Sequence, residues 1–365
     1  MNRDLQKRRW LDTLLQQKGG WLRDVLLFPL SIISWIYGVV VWIRALCYRH
    51  GLFKTRQFPC RVLSVGNITL GGTGKTPLVA ALARELSHRG MKVGILSRGY
   101  KGTKERKGGM VSDGAQIYLA PSEGGDEPCM LATMVSGVPV LVGKKRYEMG
   151  LHALERFGLD CLILDDGFQH RRIKRDVDIV LVDSRRGFGN GRLFPRGPLR
   201  EPLSCLRRAS LIVLTKAEPS QSLDELEGVL RSHAPATPLY HSRYKPRALV
   251  EGISGKTVSP QFLQGKKVLA FAGIVDPEYF VYLLKGLGAE VVQAIHFPDH
   301  YRYTPKDVIM MCEHKDTVDL FVTTEKDYVK LQAIPLNDLP LFILTIEQEV
   351  IEKAFDQSVF SFLSS

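Results

Sequence analysis

The sequence predicts an α/β protein: a P-loop NTPase-type parallel sheet core, a second, smaller α/β domain and an N-terminal hydrophobic membrane-anchor helix. Three observations predict it. Short apolar runs alternate with helix-length segments, as parallel strands buried on both faces do. One such run leads into a glycine-rich loop that ends in Gly-Lys-Thr, and the stretch 25–43 carries no charge. We place the hydrophobic anchor at 1–52, the core domain at 53–245 and the smaller domain at 246–365.

The composition is that of a folded protein with an anionic partner. The chain has 365 residues, 45% hydrophobic and 24% charged, which suffices for two domains and argues against disorder. The formal net charge of +12 favours nucleic acid, an anionic membrane or a phosphorylated substrate as partner. The six cysteines form no C-x-x-C pair, which argues against a zinc site and favours reduced thiols in a cytosolic compartment.

The N-terminal segment has the composition of a membrane anchor. The uncharged stretch 25–43 is about long enough to cross a bilayer as a helix, and all four tryptophans lie within the first 42 residues. No small-x-small cleavage site follows, which disfavours a signal peptide. A spanning helix and a buried core helix remain alternatives. Because both flanks are basic, we favour a segment that dips into one leaflet from the cytoplasmic side. The flanking basic residues are Lys7, Arg8, Arg9, Lys18, Arg23, Arg44, Arg49, Lys54 and Arg56.

A phosphate-binding loop follows the first apolar run of the core domain, residues 62–65. Strand, glycine loop and helix occur in the order that such a loop needs, since backbone N–H groups and the helix N-terminus then face the phosphates. Lys75 would reach the β- and γ-phosphates, and the hydroxyl of Thr76 would coordinate Mg²⁺. The generic pattern has glycine where this chain has threonine. The residues predicted to hold a nucleoside triphosphate are Thr69, Leu70, Gly71, Gly72, Thr73, Gly74, Lys75 and Thr76.

Polar residues follow the later apolar runs, and ligands of parallel sheets bind at these strand ends. Asp165 and Asp166 end one run, where a carboxylate is expected to hold Mg²⁺ directly or through water. Either aspartate could instead cap the next helix, and the sequence leaves open which one contacts the ion. Arg98 lies in a basic loop after another run. The predicted core strands are 92–96, 139–142, 161–164, 179–182 and 211–214.

An arginine-rich segment, 185–208, contains seven arginines, one acid and no lysine. Glycines and prolines interrupt it, so it is not a helical charge face, and arginine forks suit phosphate groups. RNA is an alternative partner, but only Phe188 and Phe194 offer bases a stacking surface. Residues 215–218 lie where many phosphate-loop proteins contact the nucleotide base.

The C-terminal third predicts the smaller α/β unit, with strands and helices in alternation. His300 lies beside Asp299 near a strand end and could act as a general base, or could simply be solvated. Asp126 and Glu127 precede a helix, where acids also occur as first-turn residues. The predicted elements are strands at 267–272, 290–295, 319–322 and 341–344 and helices at 277–287 and 307–314.

Nine motifs together resemble the tetraacyldisaccharide 4′-kinase family, the lipid A 4′-kinases of Gram-negative bacteria, over nearly the whole chain. They are VGNITLGGTGKTP, LSRGY, GDEP, GKKR, LILDDGFQHRRIKRD, LFPRGPLRE, LTKAE, FPDHYRY and TTEKD. The threonine of the phosphate loop is similar to the family's own variant. The resemblance implies ATP- and Mg²⁺-dependent transfer of the γ-phosphoryl group to the 4′-hydroxyl of a tetraacylated glucosamine disaccharide 1-phosphate, giving lipid IVA. It implies the cytoplasmic face of the inner membrane and no nucleic acid or protein partner.

The resemblance also implies roles for particular residues. Asp126 acts with His300 to activate the sugar hydroxyl, and Lys75 serves the phosphates. Since the first two are far apart in sequence, we expect different domains to supply them and to close on each other. A membrane-associated nucleotide switch or ATPase, and a non-enzymatic scaffold, remain alternatives that lipid-stimulated ATP turnover would exclude. Further substrate or phosphate positions are Arg98, Glu127, Arg146, Gln169, His170 and Arg196.

Overall fold

The structure is a computed structural model that describes residues 24–25, 27–219, 221–332, 334–336 and 339–364. The predictions for Trp10, Trp21 and the basic residues before position 24 lie outside this range. The chain divides into two compact units. Unit 1 comprises the residues up to 98, 145–243 and those from 349 onward, and unit 2 comprises 99–144 and 244–348.

Strands and helices alternate along most of the chain. In chain order the strands are β1 (Arg61–Asn67), β2 (Val93–Ser97), β3 (Gly109–Ser112), β4 (Val140–Val142), β5 (Cys161–Asp165), β6 (Val177–Asp183), β7 (Leu211–Thr215), β8 (Leu239–Glu251), β9 (Thr257–Val258), β10 (Lys267–Ala272), β11 (Glu290–His296), β12 (Leu320–Thr324) and β13 (Leu341–Val350). The α-helices are α1 (Phe28–Arg49), α2 (Lys75–His88), α3 (Pro121–Gly124), α4 (Asp126–Met134), α5 (Arg146–Phe157), α6 (Asp224–His233), α7 (Pro277–Gly286), α8 (Pro305–Cys312), α9 (Glu325–Leu331) and α10 (Ala354–Ser364).

Unit 1 contains a parallel sheet in the order β8-β7-β6-β1-β5-β2. Strands β5, β6 and β7 are buried along their whole length, as the apolar runs predict. Strand β1 is central, and Val65 pairs with Asp165 of β5. The carboxyl ends of these two strands are therefore neighbours, so the loop after β1 lies beside the aspartates after β5. Helix α10 returns to this unit.

Unit 2 contains a parallel sheet, β11-β10-β12-β13, with helices α7, α8 and α9, and two antiparallel pairs, β3–β4 and β8–β9. Buried side chains such as Phe271 and Phe321 fill its core. The run predicted at 139–142 as a strand of the core domain forms β4, which belongs to unit 2 and pairs antiparallel with β3. An apolar run indicates a buried strand, but it does not encode the strand's partner or direction.

The units also differ from the predicted domain limits at 53–245 and 246–365. Residues 99–144, which the sequence analysis places in the core domain, pack with the C-terminal third, and the last helix packs with unit 1. Phe355, Val359 and Leu363 of α10 are buried there. The predicted limits assumed two continuous segments, whereas packing follows the apolar faces wherever they occur in the chain.

Helix α1 contacts unit 1 along one face only. Ser34 donates a hydrogen bond to the carbonyl oxygen of Leu193 (2.8 Å), and the hydroxyl of Tyr37 donates to that of Arg200 (2.8 Å). On the remaining surface Trp35 is 72% exposed and Trp42 63% exposed. By length and composition this 22-residue helix could cross a membrane, and only 11% of its apolar window is buried. The low burial argues against a core helix.

Candidate active site

The phosphate loop connects central strand β1 to helix α2. Gly74 precedes the helix with φ = +84°, a left-handed conformation that residues with a side chain rarely adopt. No side chain among the described residues caps the helix N-terminus, so its first N–H groups point toward the place where an anion would bind. The hydroxyl of Thr215 donates to the carbonyl oxygen of Thr73 (3.0 Å) and fixes the loop to the end of β7. The loop thus has the geometry of a phosphate site.

Asp166 lies at the centre of a charged cluster beside this loop. Its carboxylate is 3.5 Å from Nζ of Lys75, and Nη1 of Arg200 donates to both of its oxygens (3.1 and 3.0 Å). Burial alone would raise the pKa of Asp166, but Lys75, Arg200 and Arg146 hold that pKa well below its usual range. The residue adopts φ = +49°, which is uncommon for a residue other than glycine. The carboxylate therefore stays charged at neutral pH.

The buried Arg146 holds the backbone of the aspartate pair. Its guanidinium donates to the carbonyl oxygens of Asp165 (2.7 Å) and Asp166 (3.0 Å). The hydroxyl of Ser97 donates to Oδ2 of Asp165 (2.8 Å). The structure thus places Arg146 beside the aspartates that were predicted to bind metal, and it contacts their backbone carbonyl oxygens.

Three other predicted positions surround the same strand ends. Gln169 donates through Nε2 to the carbonyl oxygen of Asn67 (2.8 Å), the last residue of β1. Burial and nearby arginines, Arg146 foremost, lower the pKa of His170 to about 3, so its ring is neutral at physiological pH. Arg98 is exposed at the end of β2.

Arg196 occupies a different part of unit 1. Its side chain is buried, and Nη2 contacts the carboxylate of Asp24. Its atoms Nε and Nη1 have no hydrogen-bond partner among the described residues. It lines a groove of about 420 Å³ between α1 and the loop that follows Arg192.

Asp126 and His300 are hydrogen-bonded to each other. The first begins α4, and its Oδ2 lies 3.0 Å from Nδ1 of the histidine, which precedes α8. Both residues belong to unit 2. The expectation that they come from different domains is therefore wrong, and no closure is needed to join them. The expectation relied on distance along the chain, whereas residues 99–144 fold with the C-terminal third.

The surroundings of this Asp126–His300 pair keep the carboxylate ionised. Burial alone would raise the pKa of Asp126, but the hydrogen bond from His300 and the charges of Lys330 and Lys326 lower it. An ionised carboxylate accepts only, so the proton of the hydrogen bond lies on Nδ1. The ring edge of Tyr100 is close to the imidazole, with centroids 6.1 Å apart.

Sequence reasoning missed two residues of these clusters. Arg200 was counted among the basic residues of its segment and given no role, yet it binds Asp166 through both carboxylate oxygens. Lys326 was noted only within the TTEKD motif, yet its ammonium lies 3.1 Å from both Glu127 and Asp299. The one signal in the sequence for either residue was its place in a family motif, LFPRGPLRE for Arg200 and TTEKD for Lys326.

The donor set fits a nucleotide-bound magnesium ion. No group of three or more His, Cys, Asp or Glu side chains in the described part of the chain could hold a metal by itself. Mg²⁺ needs no such group, since proteins bind it through one or two carboxylates, substrate phosphates and water. Asp165, Asp166 and the hydroxyl of Thr76 supply hard oxygen atoms of this kind.

A phosphate loop of this form, with an aspartate beside its lysine just after the neighbouring strand, defines a P-loop phosphotransferase or nucleoside triphosphatase. The family model described as tetraacyldisaccharide-1-P 4′-kinase matches residues 26–364. The chain therefore belongs to the tetraacyldisaccharide-1-P 4′-kinase family, which confirms the family, the kinase class and the fold predicted from the motifs.

Relatives of known name align with this chain over most of their length. The chain is 44% identical to a tetraacyldisaccharide 4′-kinase of Syntrophus aciditrophicus over 90% of this chain and 91% of the relative. It is 42% identical to that of Desulfatibacillum aliphaticivorans over 94% of each. The "apo" form of LpxK from Aquifex aeolicus in complex with ATP superimposes with a TM-score of 0.74 at 32% identity, covering 93% of this chain and 99% of that one. ATP and Mg²⁺ are thus the cofactors of the family.

Proposed function

We propose that this protein transfers the γ-phosphoryl group of ATP to the 4′-hydroxyl of a tetraacylated glucosamine disaccharide 1-phosphate, at the cytoplasmic face of the inner membrane. The observation that carries the proposal is the 3.0 Å hydrogen bond between Asp126 and His300. A nucleotide switch has no acceptor hydroxyl to deprotonate, whereas a kinase does.

Unit 1 supplies the donor side of the reaction. The loop from Thr69 to Thr76 surrounds the phosphates with N–H groups, and Lys75 neutralises charge that develops during transfer. Thr76 and the aspartate pair Asp165–Asp166 would hold Mg²⁺, which when bound would supply positive charge to the phosphate oxygens. Arg146 and Arg200 keep the aspartates in place, the first through carbonyl oxygens and the second through the carboxylate of Asp166.

Unit 2 supplies the acceptor side. With its Nδ1 proton donated to Asp126, a neutral His300 keeps a lone pair on Nε2, and that nitrogen is 3.6 Å from Asp299, beyond hydrogen-bonding distance. The pair therefore takes the proton of the sugar hydroxyl as one unit.

The surface of α1 supports a lipid substrate and a membrane location. Its exposed side chains include Trp35 and Trp42, amphipathic rings of the kind found at membrane interfaces. Both rings also line the groove, which combines apolar side chains with Arg192 and with the unpartnered atoms of Arg196. Acyl chains and a phosphate are the chemistry that such a groove accommodates. Basic residues after the helix favour the anionic cytoplasmic leaflet.

The activity is tested with γ-labelled ATP and a tetraacylated disaccharide 1-phosphate in mixed micelles. We expect the label at the 4′ position, with turnover that depends on the lipid. ATP hydrolysis unaffected by lipid, with no labelled lipid, would leave the nucleotide switch as the better description.

The membrane location is tested with exposed-face variants, since deleting α1 would also remove its contacts with Leu193 and Arg200. A Trp35→Glu/Trp42→Glu double variant should float with anionic vesicles at least about tenfold less, because a charge at membrane depth costs a few kcal/mol. ATP binding should be unchanged. Ile309→Glu, an exposed position of unit 2, is the matched control. Equal flotation of all three proteins at high and low salt would argue against the anchor.

A further inference from the structure

A buried lysine joins the two segments that carry the Asp126–His300 pair. Nζ of Lys326 lies 3.1 Å from Oε1 of Glu127 and 3.1 Å from Oδ1 of Asp299. Glu127 follows Asp126 in the first turn of α4, and Asp299 directly precedes His300. One ammonium group therefore contacts the chain neighbour of each member of the pair.

The lysine itself is firmly placed. It lies in the first turn of α9, a helix that Thr324 caps by accepting a hydrogen bond from the backbone N–H of Asp327. The carboxylate of Asp327 is fully buried, with bonds from the N–H of Gly273 and from Lys330. Helix α9 can therefore serve as a fixed support for the two segments.

The histidine segment requires such support. His300 adopts φ = +61°, a left-handed conformation that is unfavourable for a residue with a side chain and persists only where its surroundings hold it. The hydrogen bond to Asp126 restrains the ring, but it does not fix the backbone that carries it. The contact between Lys326 and Asp299 restrains that backbone one residue away.

We propose that Lys326 is a positioning residue for phosphoryl transfer, which holds Asp126 and His300 in register by bridging Glu127 and Asp299. The proposal rests on the role assigned above to the Asp126–His300 pair. Lys326 contacts the neighbours of the pair and acts through them.

The bridge also sets the charge around the pair. Lys326 stays protonated, because Glu127 and Asp299 raise its pKa against the opposing effect of burial. Its charge is one of those that lower the pKa of Asp126. Removing the ammonium takes one positive charge from beside the pair, so the acidic limb of the activity profile moves to higher pH.

The test compares Lys326→Met with Lys326→Arg, using Lys306→Met at an exposed site of unit 2 as the matched control. We expect Lys326→Met to lower kcat roughly 10- to 100-fold, the effect of slightly misplaced catalytic groups, with KM for ATP within about twofold. Its acidic limb should move to higher pH. Lys326→Arg keeps the charge and should recover much of kcat, and Lys306→Met should behave as the wild type.

Fold integrity is followed by circular dichroism and thermal melting. If Lys326→Met does not fold, Glu127→Gln and Asp299→Asn each remove one half of the bridge, and each should lower kcat and leave KM for ATP unchanged. Wild-type kcat and pH profile in folded Lys326→Met, or in both single carboxylate variants, would overturn the proposal.

A variant of Asp126 separates this proposal from the one on which it rests. If Asp126→Asn lowers kcat by about 100-fold and Lys326→Met does not reduce it, the bridge has no positioning role. If Asp126→Asn retains turnover, the pair is not the base, and the positioning role of Lys326 fails with it. If both reduce turnover, we expect the double variant to be little worse than Asp126→Asn, since residues that act as a unit are non-additive.

Discussion

In unit 1 the carboxylate of Asp166 is bound by two permanent cations, Lys75 and Arg200, whereas in unit 2 that of Asp126 is bound by a histidine. Arginine and lysine keep their charge at neutral pH, so the first cluster presents a constant field to phosphate and metal. The imidazole donates its Nδ1 proton to Asp126 and keeps a lone pair on Nε2, so the second cluster can take up a proton. The two carboxylates are alike, and their partners decide which of the two functions each serves.

The largest effect should follow from removing Lys75 from the charged cluster around Asp166. Lys75→Ala should lower kcat/KM at least about 100-fold, because the loop loses the one side chain placed to neutralise the transferring phosphoryl group. The measurement is initial-rate kinetics on protein shown to be folded by thermal melting. Lys92→Ala, an exposed lysine at the edge of β2, should leave kcat/KM unchanged. Near-native turnover of the first variant would remove the loop from the mechanism.

Variants of the Asp126–His300 pair should show a smaller loss of activity, and their effects should not add in the double variant. Asp126→Asn and His300→Gln should each lower kcat roughly 100-fold with modest change in KM for ATP, since neither lies on the phosphate loop. The double variant should be little worse than the more damaging single one. Initial-rate kinetics of the wild type, both single variants and the double variant, all at one pH, measure these losses. Losses that multiply fully in the double variant would mean that the residues act independently.

Local patterns account for the parts that the sequence could predict. The phosphate loop and the aspartates after β5 are contiguous, and the chemistry of each follows from its position at a strand end. Arg200 and Lys326 gain their roles from partners 34 and 199 residues away, Asp166 and Glu127. No spacing in the sequence encodes such pairs. They depend on which loops the sheet brings together.

The same limit explains the error about the two units. Apolar runs indicate how many buried strands exist, and they contain little information on which sheet each strand joins. Residues 99–144 therefore appeared to continue the core domain, although they carry Asp126 to the unit that holds His300. The resemblance to the family implied the members of the pair, and only the packing showed that a single unit assembles it.

A third cluster, around His241 of unit 1, sharpens the comparison of the two histidines. Its Nδ1 lies 2.6 Å from Oε1 of Glu352, and its Nε2 lies 2.9 Å from Oε1 of Glu227. Carboxylates only accept, so both ring nitrogens carry protons and neither can act as a base. Around it, Arg231 also contacts Glu227, and Arg243 is paired with Glu349. His241 therefore links β8 and α6 to the segment before α10.

The smallest predicted effect is on stability, and its sign follows from this geometry. Burial alone would lower the pKa of His241, but the bonds to Glu352 and Glu227 raise it above 6.5. A raised pKa in the folded state contributes stability that is fully present below the unfolded value and lost as pH rises through the folded one. His241→Gln should therefore cost about 1 kcal/mol at pH 5.5, or about 2 °C in Tm, and much less at pH 9. His88→Gln, at an exposed position, should show no such dependence. Hydrogen exchange would show where the stability is lost. The amides of α10 should exchange about fivefold faster in His241→Gln than in the wild type at pH 5.5. An equal loss of Tm at both pH values would show that His241 contributes by packing, because a contact that carries no charge does not change with pH.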